Sequence, residues 1–345
     1  MDPLFDLAII GAGPAGLAAA VEARRGKLEN IIVFEKGPSH SQMIRTFYKE
    51  GKRLDASYAG LEALCMGVMC LRDGSRESYL SMMDHVVTQE KIPIEYLTEV
   101  RSLQKLDSGV FEIHTTLGNP LLAKTIVVAI GRMNKPTQPD YWRAIPSALK
   151  SNKTLLFDIN TRVIEKERVL VIGGGDSAAE YAQMLCSKNS VTISYRRQEF
   201  SRMNPLNLRM TEELVKTKKI RALMNTTIAS VEDREGKPLV VFSEGNHKPE
   251  TFDCLIYALG GMTPIDFLRT AKIQYDQKGE PIVSENFECS VSGIYAIGDL
   301  LGKGKGGGSI IAGFNSASIA VNHLLVKYFN KEPLPAIVGL EHLKF

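Results

Sequence analysis

Apolar and polar positions along this chain repeat one arrangement twice. In the first copy the apolar run Leu7–Ile10 leads into Gly11-Ala12-Gly13-Pro14-Ala15-Gly16 and then an alanine-rich stretch to Arg25. A second apolar run, Ile31–Phe34, comes next and ends on Glu35. Short apolar runs without alternation read as buried strands, and glycines followed by small helix formers read as a turn into a helix. The same order returns at Val169–Ile172, Gly173-Gly174-Gly175-Asp176-Ser177-Ala178, a helical stretch, and the strand Ser190–Tyr195. Strand, turn, helix and strand in that order predict parallel sheets with helices on their faces.

Two more apolar runs, Thr125–Gly131 and Cys254–Gly260, each end in a small residue and a glycine: Ala129 with Gly131, and Ala258 with Gly260. They read as the strands that close each half. Between Glu95 and Gly118 the pattern alternates as in a small β meander, with Val110–Thr115 as one strand. Near the end, Gly293–Ile297 reads as a strand delivering Gly298 and Asp299, and a helical pattern starts at Ser309 after a glycine-rich stretch. Linkers are expected at Asn134–Pro139 and Gly261–Pro264. The predicted fold class is α/β, with two Rossmann-like dinucleotide-binding domains. One is discontinuous, over 1–135 and 265–345, and the other is inserted at 136–264.

At 345 residues, 44% hydrophobic and 23% charged, the chain has enough apolar side chains for two cores. A net charge of +3 is too mild to argue for nucleic acid or an anionic membrane. The apolar stretch from Leu7 to Val21 is not read as a leader or anchor, because Asp2 and Asp6 precede it and glycines interrupt it. No other run is read as long enough to span a membrane, so a cytoplasmic protein is expected. The five cysteines include no Cys-x-x-Cys, and no disulfide framework is expected. Cys65-x4-Cys70 lies in an apolar stretch that reads as packing, with a redox pair as the other reading. Cys186 and Cys254 read as core thiols, and the scattered histidines argue for no metal site.

The chemistry lies in the glycines and in the residues at the end of each second strand. In the first copy Gly11 permits a tight turn, Gly13 lets backbone approach a pyrophosphate, and Gly16 lets helix pack on strand. The helix N-terminus at Pro14 and Ala15 then faces phosphate, and Glu35, beside Lys36, stands where a ribose acceptor belongs. In the second copy Gly173, Gly174 and Gly175 lead into a helix beginning at Asp176 and Ser177. Its second strand ends not in an acid but at Arg196, Arg197 and, further on, Arg202. Arginines pair with a 2′-phosphate, so this site reads as NADPH; a solvated basic loop is the alternative. The first site reads as FAD. Asp299, at a strand end beside Gly298, is placed to hold a ribityl chain. The helix start at Ser309, Ile310 and Ile311 is placed to stabilise negative charge on a reduced flavin.

With these motifs together, the whole chain resembles the low-molecular-weight thioredoxin-reductase-like flavoproteins. The resemblance is carried by Gly173–Ala178, by Arg196-Arg197 with Phe200-Ser201-Arg202 after it, and by Ala296-Ile297-Gly298-Asp299. Thioredoxin reductases place a Cys-x-x-Cys just before the second glycine turn; here Leu155–Asn160 holds no cysteine. Glu35–Met43, Phe47–Asp55 and Glu199–Arg202 most resemble the NADPH-dependent flavodoxin–quinone reductases, a branch of the ferredoxin/flavodoxin–NADP reductases. That resemblance implies electron flow from NADPH through FAD to flavodoxin, ferredoxin or a quinone, and a homodimer. It places His40, Ser41, Gln42 and Met43 in the loop passing the flavin ring, with simple loop polarity as the alternative. Lys49, Lys52 and Arg53 are either a docking rim for an acidic carrier or solvated. His342 or Phe345 is either a cover over the flavin or part of a plain tail.

Rival readings are a disulfide reductase using Cys65 and Cys70, and a sensor whose FAD is structural. Bacillithiol disulfide reductases are thought to use a cysteine inside the first glycine motif, where this chain has Pro14-Ala15-Gly16.

Overall fold

A computed structural model describes residues 4–56, 64–132, 136–243, 247–261, 264–302 and 305–335. The chain divides into two compact units, Met1–Asn134 with Thr263–Phe345, and Lys135–Met262.

In the first unit the chain runs β1 (Leu4–Ile10), α1 (Pro14–Arg25), β2 (Ile31–Phe34), α2 (Gln42–Phe47) and α3 (Arg76–Gln89). It continues through β3 (Ile94–Glu95), β4 (Val100–Lys105), β5 (Phe111–Thr115) and β6 (Leu121–Val128). The inserted unit holds β7 (Leu155–Leu156), β8 (Arg168–Ile172), α4 (Asp176–Leu185), β9 (Ser190–Tyr195), α5 (Pro205–Lys216) and β10 (Ile220–Met224). After these come β11 (Ile228–Arg234), β12 (Lys237–Phe242), β13 (Glu250–Thr251) and β14 (Cys254–Tyr257). The chain then returns to the first unit with β15 (Ile294–Ala296) and α6 (Ile310–Phe329).

The first sheet has the order β3-β2-β1-β6-β5-β4, with β15 beside β6. β1 is parallel to β2 and to β6, in a register that sets Ile10 level with Phe34 and with Val128. These central strands are apolar on both faces: Leu7 and Ile9 pack with α1 and α6 on one side, and Ala8 and Ile10 with residues of β4, β5 and the 268–301 segment on the other. α1 and α6 lie side by side and run in the same direction. A Cβ on Gly313 would touch Ala15, and one on Gly26 would collide with Leu325. Small residues along α1 (Ala15, Ala18, Ala19, Ala23) allow that close packing, and all are buried.

The inserted unit repeats the plan with the order β10-β9-β8-β14-β7, its named pairs parallel. It adds a small antiparallel sheet, β11-β12-β13, which no motif in the sequence marks. Another expectation needs correction: α6 is long and apolar enough to cross a membrane. Its inner face (Ile311, Phe314, Ala317, Val321, Leu324, Leu325) is buried in the first unit's core. Its hydropathy is that of a core helix.

Candidate cofactor sites

Both glycine turns are built alike, bond for bond. Gly11 donates its amide to Phe34 O at 2.8 Å, and Ala129 donates to Ile10 O at 2.8 Å. In the inserted unit Gly173 donates to Ser194 O at 3.0 Å and Ala258 to Ile172 O at 2.9 Å. Gly11 has φ +101° and Gly173 φ +148°, where side chains are strained, and a Cβ on Gly11 would sit 2.7 Å from Ala129 O. On Gly173 it would collide with Ala258 O. These first glycines are required by the closing strands. At Gly16 an added Cβ would collide with Gly11 O; the same place in the second turn is taken by Ala178. Gly13 and Gly175 differ in kind, because a Cβ there meets nothing within 4 Å. Their bareness leaves open backbone at each turn, the space a phosphate group needs.

Glu35 closes the first turn. Its Oε2 accepts the Ala12 amide at 2.9 Å and its Oε1 the Gly37 amide at 2.8 Å, with the side chain buried. A carboxylate has about four acceptor positions, so each oxygen keeps one for a ribose hydroxyl. Beside the turn, Ala15 packs against two glycines distant in sequence: a Cβ on Gly298 would lie 2.8 Å from Ala15 Cβ, and one on Gly313 3.3 Å away. The starts of α1 and α6 and the Gly298–Leu301 turn therefore meet at one point. Ser309 caps α6 by accepting the Ala312 amide at 3.1 Å, while the amides of Ile310, Ile311, Ala15 and Gly16 have no partner among the described residues. Parallel helices aiming free amides and positive dipole ends at one place make a site for an anion or a polar ring edge. Asp299 is exposed; its Oδ1 accepts the Gly308 amide at 2.8 Å, which ties down the glycine-rich segment. Ala129 is buried, and Gly131 (φ +60°) and Lys36 lie towards the surface.

The loop after Glu35 is tied down by bonds to α3 and to the first glycine turn. His40 and Ser41 are buried. His40 Nε2 donates to Asp84 on α3 at 2.7 Å, Arg45 binds the same oxygen at 2.7 Å, and the Ser41 amide donates to Ala12 O at 2.8 Å. Burial lowers the His40 pKa below its usual value. Gln42 bonds Ser39 and Thr46, and Met43 is half-buried. His40 and Ser41 thus brace the first glycine turn from behind. Asp84 and Arg45 join them without any sequence signal, because nothing in their spacing marks them.

At the second turn Arg196, Arg197 and Arg202 are all exposed. Arg202 lies level with Gly175 in a parallel bridge, which brings the arginine loop to the turn itself. Asp176 holds it there, accepting the Asn204 amide at 2.7 Å and Asn207 Nδ2 at 3.1 Å. Arg197 reaches Ser201 at 3.2 Å, while Arg196 and Arg202 form no ion pair among the described residues. Arg202 beside an open glycine, with Arg196 and Arg197 exposed on the same loop, suits a phosphate ester. Ser177 is exposed at the first turn of α4, and Gly260 (φ +84°) accepts the Thr137 amide at 2.8 Å.

Cys65 and Cys70, expected to be packing residues, are joined in a disulfide. No secreted framework points to such a bond; the short loop, folded back on α1 and α6, brings the sulfurs together. Cys254 is buried, and burial pushes its thiol up to about 12. Among the described residues no group of acids, histidines and cysteines could hold a metal. His342 and Phe345 lie outside the described residues.

Two dinucleotide-type turns on parallel sheets, one faced by an acid and one by arginines, define a two-site nucleotide oxidoreductase. The family model described as pyridine nucleotide-disulphide oxidoreductase matches residues 8–298, and the chain belongs to that family. It is a flavoprotein oxidoreductase with FAD and NADPH as cofactors. It is 25% identical over 333 residues to a ferredoxin–NADP reductase of Chloroherpeton thalassium, covering 92% of this chain and 89% of that one. It is 23% identical to a thioredoxin reductase of Mycoplasma genitalium, covering 87% of this chain and 88% of that one. The solved bacillithiol disulfide reductase of Staphylococcus aureus superposes with a TM-score of 0.80 at 21% identity, over 95% of this chain and all of that one. That last likeness is one of fold.

Proposed function

We propose that this protein carries electrons from NADPH through FAD to a separate carrier, either a flavodoxin, a ferredoxin or a quinone. The observation that carries the reading is the contrast at two identically built turns. Glu35 would hold the ribose of FAD at the first, with Gly13 giving backbone room for the pyrophosphate and Ala15 and Gly16 donating to it. Asp299 would hold the ribityl chain, and the Ile310 and Ile311 amides would meet the flavin ring at the positive end of α6. At the second turn Arg196, Arg197 and Arg202 would grip the 2′-phosphate, which selects NADPH over NADH.

Bound FAD would supply the hydride and electron-transfer chemistry; the chain's own part is binding, orientation and electrostatic tuning. His40, Ser41 and Asp84 act at one remove by keeping the glycine turn in place. An outward route for the electrons is supported by the lack of Cys-x-x-Cys anywhere in the sequence and by relatives named for ferredoxin. We place the protein in the cytoplasm, as a homodimer, by the same resemblance.

Anaerobic NADPH should bleach the bound flavin near 450 nm (roughly where oxidised flavins absorb), and steady-state oxidation should then proceed with carriers and not with disulfides. Failure to bleach ends the reductase reading. Turnover with a disulfide, lost in a Cys65→Ser, Cys70→Ser protein, would move the assignment to disulfide reduction.

A further inference from the structure

The loop closed by Cys65–Cys70 is seated on the first unit at three points. Asn315 of α6 accepts the Met66 amide at 2.9 Å and donates to Leu64 O at 2.8 Å. Glu22 of α1 accepts the Val68 amide at 2.6 Å through Oε1. Gly67 fits against both helices so tightly that a Cβ there would collide with Glu22 Oε1 and lie 2.5 Å from Ser318 Cβ. The loop thus covers a carboxyl that is 1% exposed and whose Oε2 has no partner among the described residues. The cysteines themselves are only half-buried, and Leu64 and Met66 beside them stand exposed at 78% and 48%.

A cross-link between residues five apart closes a short loop, so by chain entropy it stabilises the fold less than one closing a long loop would. Its evident local effect is to fix the loop over Glu22. Electron transfer from NADPH through FAD makes no use of either the disulfide or Glu22.

We propose that Cys65–Cys70 is a thiol–disulfide exchange site open to small thiols, and that its opening hydrates Glu22 and releases that carboxyl's proton. The thiolate of a small thiol attacks one cysteine sulfur; the S–S bond breaks, and the other sulfur leaves as a thiolate that takes up a proton. A second small thiol attacks the mixed disulfide and frees the first cysteine, which is protonated in turn. Two electrons pass from two thiols to the pair, giving two cysteine thiols and one disulfide of the reagent. The thiol protons are conserved in that exchange, so any net proton released comes from Glu22.

Burial raises Glu22 to about 7 against a usual 4.5, opposed only by the Val68 amide and the Ser318 hydroxyl. Gly67 and Val68 face it from the loop and Ser318 from α6; no charged side chain among the described residues shifts it. Between pH 5 and 7 the closed form therefore holds a proton that the open form gives up, and raising the pH favours the dithiol.

The test equilibrates the FAD-loaded protein anaerobically with mixtures of reduced and oxidised glutathione across pH 5–8. Acid quenching, alkylation and peptide mass then give the reduced fraction of Cys65 and Cys70. The equilibrium constant for reduction should rise with pH between 5 and 7, by up to about tenfold per unit. Glu22→Gln should make it flat, and Glu22→Asp, which keeps a titrating carboxyl, should retain the rise. The proposal is overturned if excess dithiothreitol at pH 8 leaves the pair oxidised. It is also overturned if the Glu22→Gln profile matches wild type, or if Glu22→Asp is as flat as Glu22→Gln.

Discussion

Glu35 accepts the amide of Ala12 at 2.9 Å, so the acid that ends β2 and the glycine turn at the end of β1 are held as one piece. Replacing Glu35 by Ala removes the ribose acceptor and also frees the Ala12 and Gly37 amides. Hydrogen bonds to a charged group contribute about 1.5–3 kcal/mol each, so FAD affinity should fall by roughly 10- to 100-fold. Flavin retention after gel filtration, with the fold checked by circular dichroism, measures this. Full retention would remove Glu35 from the site.

Arg196 and Arg202 stand without an ion-pair partner among the described residues, and Arg202 lies beside Gly175. A joint Arg196→Ala, Arg197→Ala change should raise the KM for NADPH by about tenfold or more and leave that for NADH nearly unchanged. Initial rates with each nucleotide separate the outcomes. If wild type uses both equally well, the arginines do not read a 2′-phosphate.

The glycines of the first turn should separate folding from binding. A Cβ on Gly16 would strike the Gly11 carbonyl, which cannot move without disturbing β1, so Gly16→Ala should cost roughly 3 kcal/mol. Gly13 has an extended backbone (φ −76°, ψ −177°) and nothing within 4 Å of an added Cβ. Gly13→Ala should therefore fold and melt like wild-type apoprotein yet bind FAD poorly. Thermal melts with and without FAD decide the pair, and equal behaviour of the two variants would refute the assignment of roles.

Features of this fold are legible in the sequence to the extent that local backbone geometry dictates them. Both turns are legible because that geometry demands glycine at Gly11 and Gly173 whatever surrounds them, and a strand, helix and polar end flank each at fixed spacing. The cap at Ser309 is legible for a similar local reason. The course of its loop points His40 at the flavin; its bond to Asp84 joins positions 44 apart, which no local pattern reveals. Asp176 reads as a nucleotide ligand; its hold on the arginine loop through Asn204 and Asn207 joins positions 28 and 31 apart, which no local pattern reveals. Cys65 and Cys70 look like packing because apolar neighbours surround them in sequence. Contacts from Glu22, Asn315 and Ser318, remote from the loop along the chain, decide that it folds back on itself.

Glu22 and His40 impose opposite pH dependences on stability. The folded state holds the Glu22 proton up to about pH 7, whereas an unfolded chain loses it near 4.5. The folded state thus binds more protons across that window, and stability falls as pH rises through it, by at most about 3 kcal/mol at pH 8. His40, lowered by burial, binds its proton less readily when folded than unfolded, so its contribution is lost as pH falls below about 6.5. Glu22→Gln keeps the shape of the protonated acid and cannot ionise. Its melting temperature should match wild type near pH 5 and exceed it by several degrees at pH 8, since about 1 kcal/mol moves a unit the size of the first one by roughly 2–4 °C. Scanning fluorimetry of the oxidised protein from pH 5 to 8 measures the gap. A gap that does not widen with pH would show that Glu22 is already ionised beneath its loop.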